Sequence, residues 1–264
     1  MDKLPISAVI VTFNEEKYLE ESLKSIGFCE EIIVVDLGST DKTIEIAEKY
    51  ATKIVHHDRV PIVEQIHVEI HNFVKNKWCL ITDPDEITSD TLRDDLINLF
   101  KEILRNDDKI GAVIVPWVFF FKKRRLKGTI WGGINERVYL VHLDRFVFSG
   151  SVHRGRKVKE GYLSYNIKYD PERDNVIYHY WMQTYRQLIQ KHKRYIQQEC
   201  EYRYKMGEKS SLKTIIIKSL GSFKSCFWNR KGYKDGVVGL FLSVFWAWYT
   251  TKSDICLYKI NRLN

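Results

Sequence analysis

Carboxylates close two apolar runs of this sequence, and they are its residues best suited to chemistry. Ile32-Ile33-Val34-Val35 runs directly into Asp36, and Trp78-Cys79-Leu80-Ile81-Thr82 runs into Asp83-Pro84-Asp85-Glu86. Acids one residue apart, as Asp83 and Asp85 are, offer the oxygen donors that Mg²⁺ and Mn²⁺ prefer. Pro84 fixes φ between them and stiffens the turn. An acidic surface turn capping the next helix has the same appearance, so the pair alone decides nothing. Asp36 equally suits a turn, a helix cap or an acceptor for a nucleotide base. Order along the chain favours chemistry. Thr12-Phe13-Asn14-Glu15 also follows an apolar run, and ligands of open parallel sheets bind beyond the carboxyl ends of the strands. Acids arriving there from separate strands would bring a divalent cation and a nucleotide to one place.

Periodicity indicates the elements that must position these residues. Residues 6–12 read as a buried strand, and Asn14 is placed to cap a helix ending near Ser25. A strand at 32–35 follows, then a helix capped by Ser39 or Thr40 and running through Ala51. A short strand at 53–56, a helix over 62–76 and the strand at 78–82 complete the alternation. Strands alternating with helices predict an α/β fold with a mainly parallel sheet. Farther on, the pattern predicts an amphipathic helix at 91–105 and a very apolar strand from Gly111 to Phe121. Strand pieces are expected near 137–142, 145–148, 157–168 and 174–180. A basic helix from Thr184 to about Tyr204 precedes two more helical segments beyond Leu212, split by Asn229-Arg230-Lys231-Gly232. No G-x-G-x-x-G follows the first strand and no G-x-x-x-x-G-K-[ST] occurs, which argues against dinucleotide and P-loop sites.

Of 264 residues, 44% are hydrophobic, enough for a packed core. The net charge of +8 favours an anionic partner: a membrane surface, a phosphorylated substrate or nucleic acid. Cys29, Cys79, Cys200, Cys226 and Cys256 contain no C-x-x-C pair and are odd in number. Neither a zinc site nor a disulfide framework is expected, and a reducing cytoplasm is. The opening Met1-Asp2-Lys3-Leu4-Pro5 predicts no signal peptide, and no apolar run reaches the roughly 18 residues of a spanning helix. Lys122-Lys123-Arg124-Arg125 after the aromatic run Trp117–Phe121 mixes bases with aromatics, as nucleic-acid binders do. No recognised nucleic-acid motif accompanies it, and an apolar strand ending in a solvated basic turn accounts for it, so no nucleic-acid partner is expected.

Taken together, Ala8-Val-Ile-Val-Thr-Phe-Asn-Glu-Glu16, Val34-Val-Asp-Leu-Gly-Ser-Thr-Asp-Lys-Thr43 and Ile81-Thr-Asp-Pro-Asp-Glu86 resemble the motifs of family 2 glycosyltransferases of the GT-A fold. The later chain is similar to the subgroup that builds bacterial lipopolysaccharide cores and surface glycans. That likeness rests on Phe148–His153, on Val176-Ile-Tyr-His-Tyr180 with the following basic helix (Leu188, Lys191, Tyr195), and on Gly232-Tyr-Lys-Asp-Gly236. The resemblance implies a GT-A catalytic domain over 1–182 and a helical C-terminal extension over 183–264. It implies an inverting enzyme that moves one sugar from a nucleotide-sugar, a UDP-sugar above all, to a glycan or lipid-linked acceptor. Mn²⁺ or Mg²⁺ is the implied cofactor, and the inner face of the cytoplasmic membrane the implied place of work. Thr12, Asn14 and Glu15 then line the nucleotide pocket, and Asp36 contacts the base. Asp83 faces the ribose or sugar, and Asp85, with Asp83 beside it, binds the metal that bridges the diphosphate.

Direct displacement needs a base near the acceptor hydroxyl. Arg154 stands where the subgroup's Val-His-Glu has its glutamate, which leaves His153, Glu136 and Asp144 as candidates. His153 has an intrinsic pKa of about 6.5, though a lone histidine is often structural. Glu136 sits in Gly132-Gly-Ile-Asn-Glu-Arg137, a flexible loop able to approach a ligand, or is a solvated partner of Arg137. Around Gln65-Ile66-His67 relatives carry a basic residue and Asn, so donor-phosphate contacts are expected to differ there. The processive Gln-x-x-Arg-Trp is absent, which predicts one sugar per encounter. Two rivals stand beside this reading. A nucleotidyltransferase would need a Gly-rich, basic N-terminal loop, which residues 12–17 lack. A non-catalytic membrane or nucleic-acid adaptor could use a degenerate transferase scaffold. Finally, Val237–Tyr249 is too short to cross a bilayer. It either packs on the catalytic domain or a second subunit, as in a homodimer, or lies in the membrane interface. In the second case Trp246, Trp248 and Tyr249 sit at headgroup level, with Lys213, Lys218, Lys224, Arg230, Lys231 and Lys234 drawing anionic lipid.

Overall fold

The structure, a computed structural model, describes residues 3–60, 62–106, 109–148 and 156–263. They form two compact units: Met1–Trp117 with Glu136–His179, and Val118–Asn135 with Tyr180–Asn264. Residues 118–135 fall in the second unit with the C-terminal helices.

In the first unit β1 (Leu4–Thr12), α1 (Leu19–Ser25), β2 (Cys29–Asp36), α2 (Thr43–Tyr50), β3 (Lys53–His56), α3 (Glu64–Val68) and β4 (Trp78–Thr82) alternate as predicted. β1 pairs in parallel with β2 and β4, and β2 with β3. Then follow β5 (Glu86–Thr88), α4 (Asp90–Asn106), β6 (Ile110–Phe121), β7 (Arg124–Arg125), β8 (Asn135–His142), β9 (Phe146–Val147), β10 (Lys157–Val158), β11 (Leu163–Asn166) and β12 (Ile177–Met182). The main sheet runs β3-β2-β1-β4-β8-β6-β12-β5. β8 is antiparallel to β4, and β5 to β12, so the sheet is parallel on its N-terminal side and mixed beyond it.

Both faces of β1, β2 and β4 are buried, which explains their apolar runs, whereas the edge strand β3 is only partly covered. Ile6, Ala8 and Ile10 of β1 join Ile32, Val34 and Leu80 in a core closed by Leu19, Leu23, Ala47, Leu96 and Phe100 of the helices. The alternate residues Val9, Val11, Ile33, Val35 and Ile81 enter a second core with Ile66, Ile70, Leu143 and Phe146. With a side-chain period of two, each strand supplies both layers at once.

Helix starts differ from expectation. α1 begins at Leu19 rather than near Asn14, and its capping position, Tyr18, makes no side-chain cap. Asn14 instead takes a left-handed conformation (φ 57°) and accepts the Thr40 N–H at 2.7 Å. Neither Ser39 nor Thr40 caps α2; the Asp41 carboxylate accepts the Thr43 N–H at 3.0 Å. The expected helix over 62–76 is only α3 and a single 3-10 turn, Ile70–Asn72. The chain leaves helical geometry because the Lys75 N–H donates to Glu31 (2.9 Å) and the Asn76 N–H to the Ser7 hydroxyl (3.1 Å). Tertiary acceptors outcompete the local ladder there.

The second unit contains α5 (Tyr185–Lys205), α6 (Leu212–Lys224) and α7 (Gly236–Leu263). Thr184 with Gln187, and Ser211 with Thr214, form capping boxes that start α5 and α6. Both helices pack against α7. The apolar segment 237–249 is used for that packing: Leu242, Phe245 and Tyr249 are buried. Trp131 meets Trp181, Phe245 and Trp246 in one aromatic cluster, and His192 contacts Tyr249. The structure also pairs Cys200 with Cys256 as a disulfide between α5 and α7, against the expectation of unpaired cysteines. Packing brings together sulfurs 56 residues apart, which no short-range spacing rule detects. No described helix is long and apolar enough to cross a membrane.

The Gly232–Gly236 turn has a clear structural task. Buried Asp235 accepts the Lys127 N–H at 2.9 Å and the Gly128 N–H at 2.7 Å. A Cβ on Gly128 would lie 2.0 Å from the Lys231 carbonyl oxygen, so only glycine permits the approach.

Candidate active site

Strand register sets the acids on one rim. Thr12 is level with Asp36 across β1 and β2, and Asp36 with His56 across β2 and β3. On the other side of β1, Ile10 is level with Thr82. Asp83 to Glu86 therefore emerge at the carboxyl ends of the same parallel strands as Thr12 and Asp36, where ligands of such sheets bind.

Asp36 is buried and holds its own turn. It accepts the N–H of Gly38 at 3.0 Å and of Ser39 at 3.1 Å, while the Thr12 hydroxyl donates to it at 3.4 Å. Gly38 has φ 85°, the left-handed conformation that lets the chain wrap back onto the carboxylate. Asn14 and Glu15 clasp the next loop. The Asn14 N–H donates to the Ser39 hydroxyl (2.9 Å) and the Glu15 N–H to the Thr43 hydroxyl (2.8 Å).

At β4 the acids form a dense cluster. The Glu86 carboxylate is buried and accepts the Thr82 hydroxyl at 3.0 Å and the Asp83 N–H at 2.9 Å. Its other oxygen takes a very close contact from Arg137 of β8, and the same guanidinium nitrogen reaches Asp83 at 3.2 Å. His179 of β12 places Nε2 3.4 Å from Asp85. Its ring stacks on Trp117 (centroids 5.0 Å apart), and the Arg137 guanidinium lies 5.2 Å from the same indole.

Burial pushes the Glu86 carboxyl up to about 7, with Arg137 pulling the other way. For Arg137, burial opposes the charge, but Glu86 and Asp83 outweigh it and raise its pKa. Burial likewise opposes a charge on His179, and Asp85, then Glu86 and Asp83, raise its pKa in spite of that. His67 behaves oppositely: burial, with Arg156 in contact, drives it down to about 3. Arg156 also lies 4.0 Å from Glu64, so an arginine from another part of the chain stands beside the Gln65-Ile66-His67 segment.

Asp83, Glu86 and His179 each present a donor atom within 4.8 Å of the others, a grouping able to hold a metal ion. The carboxylate oxygens of this set suit Mn²⁺ or Mg²⁺, which prefer oxygen donors; the imidazole is a donor that Mn²⁺ accepts more readily than Mg²⁺. Glu86 already spends both oxygens on Thr82, Asp83 and Arg137, so its first task is to hold the turn. Glu136, expected in a flexible loop, lies on β8 and accepts a hydrogen bond from Asn166 at 2.9 Å. It does not pair with Arg137, its neighbour on the opposite face of the strand. Asp144 pairs with Lys77 at 3.1 Å. His153 lies outside the described residues.

Arg137, Glu86 and His179 are the site members that residue-by-residue reading missed. His179 stood in the Val176–Tyr180 segment and lies on the buried face of the alternating strand Ile177–Met182. Glu86 closed the acidic run, but its contact with Arg137, 51 residues away, had no local signal.

The mainly parallel sheet with helices packed on it and acids at its carboxyl rim is a GT-A-type fold. The chain belongs to glycosyl transferase family 2, whose model matches residues 7–142, and it is a glycosyltransferase. It is 27% identical to an uncharacterized glycosyltransferase of Rickettsia bellii (strain RML369-C) over 256 residues, 92% of this chain and 82% of the relative. It is 32% identical to the lipopolysaccharide core biosynthesis glycosyltransferase LpsC of Rhizobium meliloti (strain 1021) over 113 residues, 41% of this chain and 40% of the relative. A crystal structure of glucosyl-3-phosphoglycerate synthase from Mycobacterium tuberculosis with Mn²⁺, UDP and glucosyl-3-phosphoglycerate is 22% identical, with a TM-score of 0.34 over 44% of this chain and 43% of that one.

Proposed function

We propose that this glycosyltransferase is metal-dependent and inverting, and that it moves one sugar from a UDP-sugar to a glycan or lipid-linked acceptor of a bacterial surface polysaccharide or lipopolysaccharide. The observation that carries this reading is the convergence of Asp83, Asp85, Glu86 and His179 on the rim that also bears Thr12 and Asp36. The partial likeness to LpsC supports the surface-glycan assignment.

Asp83, Asp85 and His179 are the residues that would hold Mn²⁺ or Mg²⁺, and the bound ion would neutralise charge building on the departing diphosphate. Asp36, held at the end of β2 by its own turn, takes the base-contacting place that the family resemblance implies. Thr12, Asn14 and Glu15 shape that pocket through the loop they clasp. Arg137 opposes the upward shift that burial gives Glu86 and ties Glu86 to Asp83, which holds the acidic turn in one conformation. Of the expected bases, Glu136 points away from the face that Arg137 occupies, which favours His153 for removing the acceptor proton.

The test is turnover of a panel of nucleotide-sugars by wild type and Asp85→Ala, with Mn²⁺ binding followed by calorimetry. The expected result is a loss of about 10³-fold or more in kcat, with weakened Mn²⁺ binding and an unchanged circular dichroism spectrum. Turnover of the variant within tenfold of wild type, or about that, removes the metal assignment.

A further inference from the structure

We propose that α6, the turn after it and the first turns of α7 form a docking face for an anionic lipid surface. The inference is independent of the sugar-transfer reading, since it uses none of the rim residues. Leu212, Ile216 and Leu220 recur at helical spacing along α6 and are 64%, 62% and 69% exposed. Val237, Leu240 and Val244 form a second exposed stripe on α7, which packs against α6. Trp228 and Tyr233, between the helices in sequence, are about half exposed as well. Surface hydrophobes are normally scattered singly, and periodic stripes of this kind mark an interaction surface.

Charge identifies the partner. Every charged residue from Lys209 to Lys234 is Lys or Arg. The flanking acids are Glu208, which pairs with Arg203, and Asp235, which is buried in its turn; from α7, buried Asp254 pairs with Lys218, leaving Lys213, Lys224, Arg230, Lys231 and Lys234 as the exposed cations of the face. A second copy of this chain meeting the same face about a twofold axis would oppose cation to cation. Nucleic acid would satisfy the cations yet leave Leu, Ile and Val wet, because bases stack on aromatic rings rather than on aliphatic chains. A bilayer with anionic headgroups satisfies both sets: aliphatic side chains enter the acyl boundary, Trp and Tyr sit at the interface, and Lys and Arg meet phosphate. The helices then lie in the membrane plane, consistent with their not being apolar enough to cross it. The contact differs from the one expected of Trp246, Trp248 and Tyr249: Tyr249 is buried, and both tryptophans pack on other rings.

The full chain is sedimented with vesicles of phosphatidylcholine alone and of phosphatidylcholine with phosphatidylglycerol, at about 0.1 M and about 1 M salt. Wild type is expected to pellet with the mixed vesicles at low salt and to be released at high salt. Lys213→Glu/Lys224→Glu should lower the partition coefficient by roughly tenfold or more. Ile216→Asp/Leu220→Asp should lower it about as much, at both salt concentrations. All four side chains are exposed, so the thermal midpoint of each variant should match wild type. Wild type remaining in the supernatant with the mixed vesicles overturns the proposal. So do variants that pellet as wild type does, a dimer that the Ile216/Leu220 variant dissolves in the absence of vesicle binding, or displacement from vesicles by duplex DNA at equal charge.

Discussion

The acidic rim and the α6–α7 surface are both rich in charge, but they hold it in opposite ways. On the rim the buried Glu86 carboxylate meets Arg137 from another strand, and Asp85 lies against the His179 ring. On α6 and the turn after it the charged residues are all Lys or Arg; Lys218 pairs with Asp254 of α7, and Lys213, Lys224, Arg230 and Lys231 are exposed near exposed aliphatic side chains. Charge in a low-dielectric site must be balanced internally, and the balance then fixes geometry. Charge on a surface is left to be balanced by whatever binds. The rim is therefore held in one geometry by its own contacts, and the exposed cations of α6 are not.

The sharpest way to break this contrast is to remove the rim's internal balance. Arg137→Leu leaves Glu86 and Asp83 without their cation, and urea denaturation should show a loss of about 3–5 kcal/mol. Adding Glu86→Gln should restore part of it; a double variant no better than the single would mean that Arg137 acts through packing on Trp117 instead. The corresponding lesion in the helical unit is Asp235→Ala, which strands the buried N–H groups of Lys127 and Gly128. It should cost about 2–3 kcal/mol by the same assay, and a cost below about 0.5 kcal/mol would place the turn's stability in its glycines.

A smaller effect is expected of pH. His67 has a folded pKa of about 3 and an ordinary unfolded value, so between about 3 and 6.5 the unfolded chain binds the extra proton. Stability from this group is complete above about 6.5 and falls as pH drops toward 3. His67→Asn should flatten that part of the stability–pH curve, and a curve of unchanged slope rules the group out as its source. Smallest of all, Glu136→Gln should leave kcat within about twofold of wild type, because its carboxylate serves Asn166 and not the rim. A drop of about a hundredfold would make Glu136 the base after all.

Much of the parallel sheet was readable because strand period and core membership coincide. Ile6 through Val11 is apolar except for Ser7, as suits a strand buried on both faces. The acids at its carboxyl rim were readable for the same reason, since a strand end is a local feature. Helix starts were less so: Asn14 has the composition of a cap but serves Thr40 across the loop. The apolar segment 237–249 could not be assigned to protein or lipid from hydropathy, because burying Phe245 and exposing Val244 depends on which neighbour each faces.

By itself the sequence determined the alternation of strands and helices, the placement of Asp36 and Asp83–Asp85 at strand ends, and a strongly basic C-terminal region. Those properties follow from backbone period and local composition. Tertiary structure alone decided that Arg137 and His179 join the acids, that Cys200 meets Cys256, and that Tyr249 turns inward while Leu220 turns out. Each of those outcomes is a contact or an orientation set by packing between residues far apart in sequence, and no local pattern encodes the distance between them.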